Sequence, residues 1–324
     1  MRRMEGLENL GERLPWPVVT VGTFDGVHLG HQRVLAEVVE WARACSGTAV
    51  VVTFKQPPRS VLSGDYPPLV TSVPHRMLLL ERLGVDVCLV LEFTRELART
   101  RVTDFVRRVL VEGLAARGVV MGHGSAFGRD REGDEAFLRQ HAQEFGFEVR
   151  SVAPVLVEDE AVSSTRIRSA VLAGDFDLAA RLLGRPFSVY GTVVRGAGRG
   201  RDLGFPTANL DLRHELAPTQ GVYLARAVVA EESRPALVSV GTQPTFGRQV
   251  GREPDAVVEV LLLDFDRELY ERDIEVEFLK RIRSQKRFPS TEELVRQIRQ
   301  DVARAREYFR LPGEQAPQKP GKST

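Results

Sequence analysis

The sequence predicts two folds in series, an open α/β sheet followed by an antiparallel β-barrel or sandwich with one helix packed on it. Three observations carry that expectation. The chain has 324 residues, more than a single domain of roughly 100 to 200 residues holds. As far as Gly184, short apolar runs alternate with amphipathic helical patterns. Beyond Arg185-Pro186, apolar runs follow one another across Gly and Pro turns, with no helical pattern until Thr291.

In the first part, Pro17 to Val21, Thr48 to Phe54, Asp86 to Leu91, Gly118 to Met121 and Glu148 to Leu156 read as strands. Between them, Leu29 to Ala44, His75 to Leu83, Val102 to Ala115 and Asp134 to Phe145 place apolar residues at helical spacing. Strands separated by helices pair in parallel through right-handed crossovers. The sheet should therefore be doubly wound, with ligands at the carboxyl ends of its strands. In the second part, Phe187 to Val194, Gly221 to Ala230, Ala236 to Val240, Ala256 to Phe265 and Ile274 to Leu279 read as strands, and Thr291 to Phe309 as a helix. The boundary falls near residues 184–187, giving domains 1–185 and 186–310. Residues 311–324, rich in Pro, Gln, Lys and Gly, read as a disordered tail.

Composition narrows the function classes. A net charge of +1 lacks the basic excess of a dedicated nucleic-acid binder, so no nucleic-acid partner is expected. Cys45 and Cys88 both lie in apolar runs with no Cys or His at ligand spacing, which argues against a disulfide framework or a zinc site. Neither a secretory leader nor a membrane-length apolar stretch is visible, so the expectation is a cytoplasmic protein with no membrane partner, a monomer or weak homo-oligomer.

The first strand runs into Gly22-Thr23-Phe24-Asp25-Gly26-Val27-His28-Leu29-Gly30-His31. This places His28 and His31 at the opening turn of a helix, where backbone N–H groups and the helix dipole favour an anion. Gly22, Gly26 and Gly30 permit close approach of a nucleotide to the backbone. Two imidazoles there can stabilise charge growing on a phosphoryl group. A second piece, Ser163-Ser164-Thr165-Arg166-Ile167-Arg168, opens another helix and offers hydroxyls and a guanidinium to a triphosphate.

Together these pieces resemble the nucleotidyltransferase superfamily with a His-x-Gly-His signature. More narrowly they resemble the adenylyltransferase module of bacterial bifunctional riboflavin kinase/FAD synthetases. The resemblance implies a Rossmann-like domain in which the FMN phosphate attacks the α-phosphate of ATP and releases pyrophosphate. It assigns catalysis to His28 and His31, nucleotide binding to Gly22, Phe24, Asp25, Gly26, Ser164, Thr165 and Arg168, and flavin binding to Phe127. Two stretches depart from the family pattern. Thr53-Phe54-Lys55-Gln56-Pro57-Pro58 lacks the His of a Pro-His-Pro element, and Gly124 stands where an Asp or Asn is usual. They raise an alternative, a riboflavin kinase whose N-terminal module is weakened or only binds nucleotide.

In the second part, the strand ending at Val194 leads into Arg195-Gly196-Ala197-Gly198-Arg199-Gly200-Arg201-Asp202-Leu203-Gly204-Phe205-Pro206-Thr207-Ala208-Asn209. Thr207 and Asn209, two apart on an extended segment, point the same way and offer hard oxygen ligands suited to Mg²⁺. The N–H groups of Gly196, Gly200 and Gly204 can cradle phosphates. Phosphorylating an alcohol needs a base for its proton, and Glu259 stands inside the apolar run Ala256 to Leu263, out of keeping with its neighbours.

Residues 189–309 look like the riboflavin kinase module of the same enzymes. The matching pieces are Gly204 to Asn209, Gly221-Val222-Tyr223, Val240 to Phe246, Val258-Glu259-Val260, Leu269-Tyr270 and Phe278 to Phe288. The resemblance implies a six-stranded barrel and transfer of the ATP γ-phosphate to the ribityl 5′-hydroxyl of riboflavin. Thr207 and Asn209 would carry Mg²⁺ and phosphate, Glu259 would take the proton, and Arg281 and Arg283 would lie on the flavin side. Riboflavin, FMN and ATP are the implied small-molecule partners, with FAD as final product.

Overall fold

The computed structural model describes residues 1–6, 13–56, 61, 68–196, 199–213, 215–242 and 256–311. The expectations for Pro57, Ala197-Gly198, Gln243 to Phe246 and the tail beyond residue 311 lie outside the described residues. The chain forms two compact units. The first is Met1–Pro186 with His214–Leu216, and the second is Phe187–Arg213 with Ala217–Thr324.

In chain order the first unit contains β1 (Arg2–Glu5), β2 (Pro17–Val21), α1 (Leu29–Ala44), β3 (Thr48–Phe54), α2 (Val73–Arg82), β4 (Val87–Leu91), α3 (Arg95–Arg99), α4 (Val102–Phe105) and β5 (Gly118–Gly122). There follow α5 (Glu135–Phe145), β6 (Glu148–Val152), the hairpin of β7 (Leu156–Val157) and β8 (Glu160–Ala161), α6 (Ser164–Ala173) and α7 (Phe176–Leu183). Six strands pair in parallel in the order β1-β4-β3-β2-β5-β6. Strands β2, β3 and β4 are buried along their whole length, as central parallel strands covered on both faces must be. From β2 the chain winds outward to β3 and β4, then crosses back to β5 on the other side of β2. That reversal is a topological switch point, so the loop leaving β2 opens where doubly wound sheets bind ligands.

Helices α3 and α7 are absent from the sequence reading, and three further differences have a visible physical cause. Strand β1 extends the sheet at the β4 edge, yet only Met4 of its four residues is buried, so it carries no apolar run to reveal it. The helix expected over Val102 to Ala115 begins as α4 and continues as a π-helix over Val106–Gly113. Its buried Val106, Val109 and Leu110 keep the i, i+3, i+4 spacing of an ordinary α-helix, so periodicity gave no sign of the wider winding. The run expected from Glu148 to Leu156 breaks after Val152, where Pro154 cannot donate to a ladder, and restarts in the β7–β8 hairpin.

The second unit contains β9 (Phe187–Val194), α8 (Arg199–Asp202), β10 (Ala208–Asp211), β11 (Gly221–Val229), β12 (Glu232–Thr242), β13 (Ala256–Leu262), β14 (Asp273–Arg283) and α9 (Thr291–Phe309). Its strands close into an antiparallel barrel in the order β10-β13-β12-β11-β14-β9, which decides between barrel and sandwich. The sixth strand, β10, is the Ala208–Asp211 stretch; only Leu210 is buried there, and the sequence showed an extended segment without an apolar run. Strands β11 and β12 join through Ala230 and Glu231, both with positive φ (49° and 70°), the signature of a tight hairpin turn that matches strand twist.

Helix α9 starts at Ser290, whose hydroxyl accepts from Glu293 N (3.3 Å). Its inner face packs Val302 and Ala305 against Val222, Leu224, Leu237 and Leu263. A partly buried ion pair between Arg283 and Asp301 (2.7 Å) ties it to β14.

Candidate active sites

The turn leaving β2 is held in an unusual backbone conformation. Phe24 (φ 47°), Gly26 (φ 84°) and Val27 (φ 42°) all adopt positive φ, and for a β-branched residue such as Val27 that region is a strained exception. The arrangement brings His28 to the N-cap of α1, where its Nδ1 accepts from His31 N (3.3 Å). With Nδ1 engaged as an acceptor, the proton of neutral His28 sits on Nε2. His31 stacks on His28 with ring centroids 3.6 Å apart and meets the Phe24 ring edge-on at 5.2 Å. Burial, followed by the Arg185 charge, lowers His28 to about 4. Burial again, then His28 and Arg76, holds His31 well below the usual histidine range. Both imidazoles are therefore neutral near pH 7 and act as hydrogen-bonding groups rather than fixed cations.

The two N-terminal pieces come together at Asp25. Its Oδ2 accepts from Arg168 Nη2 (2.9 Å), its Oδ1 accepts from Thr71 N (3.0 Å), and its carbonyl accepts from the Ser164 hydroxyl (2.9 Å). Ser163 caps α6 by accepting from Arg166 N, which leaves Ser164 half-buried and Thr165 exposed in the first turn. Gly26 N in turn donates to the Thr71 hydroxyl (2.9 Å). Gly22 faces the Phe24 ring, where an added Cβ would meet Cε2 at 3.1 Å. Asp25 is thus a brace between the turn and α6.

Four residues in this region were not singled out from sequence. Thr71 clamps the turn, and Arg185 donates to the carbonyls of Gly26 (2.9 Å) and Val27 (3.1 Å). Arg76, 2% exposed, donates to the Thr53 hydroxyl and to the carbonyls of Phe54 and Thr71. Glu215 belongs to this unit with the short stretch His214–Leu216, although Arg213 and Ala217 on either side belong to the other. One signal was available: an arginine among Met77, Leu79 and Leu80 on the inner face of α2 is as conspicuous as Glu259 in its strand.

Phe127 lies in the hydrophobic core, 9% exposed, with its ring 5.3 Å from that of Phe105. Gly124 adopts φ 66° with nothing within 4 Å of an added Cβ, and its carbonyl accepts from Arg131 (3.0 Å). The missing side chain leaves open space there. Cys88 is fully buried, and burial pushes its thiol up to about 12, outside the reactive range.

In the barrel, the antiparallel register sets Asn209 directly opposite Glu259, and Glu259 directly opposite Ser239. Side chains directly opposite on neighbouring strands share a face with Cβ atoms about 5 Å apart. Val258, Val260 and Leu210, one residue away along each strand, are buried, so the polar row lies on the other face. Ser239, which accepts from Gln285 Nε2 (2.9 Å), extends a row that sequence alone did not show.

The glycines of the preceding loop serve this row. A Cβ at Gly196 would strike the Asn209 amide, and one at Gly200 would lie 2.5 Å from Phe205 O and 2.9 Å from the Thr207 hydroxyl. Gly204, at φ 82°, turns the chain into the Phe205-Pro206-Thr207 segment. On the β14 side, Arg281 donates to Gln220 O (2.6 Å), and Arg283 is engaged by Asp301 and so anchors α9. Among the described residues no group of three or more His, Cys, Asp or Glu could hold a metal, and no helix is long and apolar enough to cross a membrane. The Thr207 hydroxyl and the Asn209 amide oxygen, the latter opposite the Glu259 carboxylate, are instead the hard donors that fit Mg²⁺, which takes few protein ligands and is held mostly by phosphates and water.

Comparisons with known proteins match both units. The sequence model of the FAD synthetase family matches residues 12–166, and that of the riboflavin kinase family matches residues 183–309. The bifunctional riboflavin kinase/FMN adenylyltransferase of Pseudomonas fluorescens is 39% identical over 306 residues, covering 94% of this chain and 97% of the relative. That of Escherichia coli K12 is 35% identical, covering 96% and 99%. A solved structure from Streptococcus pneumoniae, titled a macrolide-efflux protein, aligns with TM-score 0.78 at 31% identity, covering 94% of this chain and 99% of that one. Both domain families are matched, which supports the two-activity reading rather than a kinase with an N-terminal unit reduced to nucleotide binding. This chain belongs to the family of bifunctional riboflavin kinase/FMN adenylyltransferases, with an FAD synthetase domain followed by a riboflavin kinase domain.

Proposed function

We propose that the chain phosphorylates riboflavin to FMN in the barrel, residues 186–310, and adenylylates FMN to FAD in the α/β unit, residues 1–185. The observation that carries the kinase assignment is the register of Asn209 opposite Glu259, with Thr207 two residues before Asn209 along the chain. In that reading Thr207 and Asn209 hold Mg²⁺ and the ATP phosphates. Mg²⁺ held there by Thr207 and Asn209 would neutralise charge on the ATP phosphates. Glu259 accepts the proton of the ribityl 5′-hydroxyl as its oxygen bonds to the γ-phosphorus and ADP departs. The N–H groups of Gly196 and Gly200 line the phosphate side, whereas that of Gly204 is given to Arg201 O (3.0 Å) and only turns the loop, and Arg281 lies on the flavin side.

Adenylyl transfer needs no base, because the attacking FMN phosphate is already an anion. Its oxygen bonds to the α-phosphorus of ATP while the bond to pyrophosphate breaks. Neutral His28 and His31 donate N–H groups to the oxygens on which charge grows, which a desolvated imidazole does without a counter-charge. Ser164, Thr165 and Arg168 hold the departing phosphates, and Gly22, Phe24, Asp25 and Gly26 shape the turn against the nucleotide. Its place is the cytoplasm, as a monomer or weak homo-oligomer acting on small molecules and not on nucleic acid.

The test is a time course of the purified protein with riboflavin, ATP and Mg²⁺. FMN should rise and then give way to FAD with release of pyrophosphate. FMN that accumulates without FAD would remove the adenylyltransferase half, and absence of FMN would remove the kinase half.

A further inference from the structure

Glu215 is numbered within the barrel half of the chain, yet it folds with the α/β unit. The stretch His214–Leu216 is part of that unit, whereas Arg213 and Ala217 on either side belong to the other. It is held by backbone pairing: Leu216 N donates to Leu69 O (2.7 Å), and Leu69 and Glu215 form a parallel bridge. The Glu215 side chain is completely buried. Its Oε1 accepts from Ser72 N (2.6 Å) and lies 3.1 Å from His75 Nδ1, whose ring is equally buried. Ser72 is the N-cap of α2, so the carboxylate sits where the helix dipole and an otherwise orphaned N–H both favour a negative charge.

From that point a continuous set of hydrogen bonds reaches the nucleotide turn. Thr71, next to Ser72, gives its N–H to Asp25 Oδ1, takes the Gly26 N–H on its hydroxyl, and takes Arg76 on its carbonyl. Arg76, in the first turns of α2, also holds the end of β3 through Thr53 and Phe54. Asp25 and Gly26 immediately precede Val27 and His28. A carboxylate that fixes the start of α2 therefore fixes Thr71, and Thr71 fixes the turn that aims both histidines.

We propose that Glu215 is a positioning residue for adenylyl transfer, acting through the N-terminus of α2 and Thr71 on the Asp25-Gly26 turn. It touches no substrate. The inference rests on the α/β unit being the adenylyltransferase, and the experiment keeps the two apart. FAD formation by the wild-type protein tests that reading, and the Glu215 variants test this inference.

The measurements use the full chain, following FMN to FAD and riboflavin to FMN separately, with thermal melts on each variant. Glu215→Ala should lower kcat for FAD formation about tenfold or more, since small misplacement near the chemistry is costly. Its kcat for FMN formation should stay within about twofold of wild type, because the turn it positions is not part of the kinase machinery. Glu215→Gln keeps an acceptor for Ser72 N and should recover most of the rate. Thr71→Val should be slow as well, and the double variant Glu215→Ala/Thr71→Val should be no slower than the slower single, because residues acting through one network are not additive. Should Glu215→Ala fail to fold, Glu215→Asp, which withdraws the carboxylate by one methylene, should still lower kcat for FAD formation several-fold while the melting temperature holds. Wild-type kcat for FAD formation in folded Glu215→Ala or Glu215→Asp would overturn the proposal. So would a proportional fall in both reactions, or effects of Glu215→Ala and Thr71→Val that multiply.

Discussion

His28 and His31 stack nearly face to face, their planes within 17° of parallel. Two imidazolium rings would repel one another in that arrangement, and the structure keeps both neutral by burying them next to Arg185 and Arg76. An acid limb in stability follows. In the unfolded chain a histidine takes up a proton near pH 6.5, whereas folded His28 resists protonation down to about 4. The contribution is complete above pH 6.5 and is lost as the pH falls toward 4, by at most about 1.4 kcal/mol per pH unit and histidine. Denaturant unfolding between pH 7 and 5 should show the fall. His28→Asn, which keeps an N-cap acceptor for His31 N, should flatten it, and an unchanged slope in that variant would refute the assignment.

Glu259→Gln preserves the size of the side chain opposite Asn209 but removes its capacity to take a proton. Its kcat for FMN formation should fall by about 10² to 10⁴. FAD formation from supplied FMN should be unaffected in the same preparation. A Glu259→Gln protein that phosphorylates riboflavin at the wild-type rate would show that the base lies elsewhere.

Gly196→Ala tests the loop from the other side. The new methyl group lands on the Asn209 amide, so Asn209 or the loop must move. A displacement of around 1 Å at a phosphate-side ligand costs up to about a hundredfold in rate, so kcat/KM for FMN formation should drop steeply while the melting temperature changes little. Comparable losses in both reactions would point to misfolding rather than to this contact.

The β11–β12 hairpin offers a change in the opposite direction. Ala230 and Glu231 occupy left-handed conformations that Asn and Gly adopt at much lower cost. The double replacement Ala230→Asn/Glu231→Gly should stabilise the barrel by about 1 kcal/mol, read calorimetrically as a rise of a few degrees in Tm. A lower Tm would mean that the present side chains make contacts worth more than the backbone strain.

What could be read from the chain and what could not divide along physical lines. Strands β2, β3 and β4 and helices α1 and α9 announce themselves, because burial on two faces or one leaves an apolar run or a periodic stripe. Strands β1 and β10 do not, since each has four residues and a single buried side chain. The same holds at the sites. His28, His31, Thr207, Asn209 and Glu259 stand in local motifs. Thr71, Arg185, Ser239 and Glu215 reach their sites only through pairing across the fold, and no local pattern marks a partner 46 or 143 residues away. The bond from Thr71 N to Asp25 and that from Ser72 N to Glu215 are of this kind.

The closed barrel also sets a timetable for synthesis. Its seam is the pairing of β9 with β14, which joins Phe187 to Phe278 and Thr192 to Asp273. A nascent chain cannot form that seam until β14 has left the ribosome, so β9 must wait with an unpaired edge while the rest of the barrel is made. The six-stranded parallel sheet, complete at Val152, has all its strands long before then. Protease challenge of ribosome-bound chains stopped near residue 240 should find the α/β sheet resistant and β9 still open to cleavage, which makes barrel closure the slow, late and aggregation-exposed step of biogenesis.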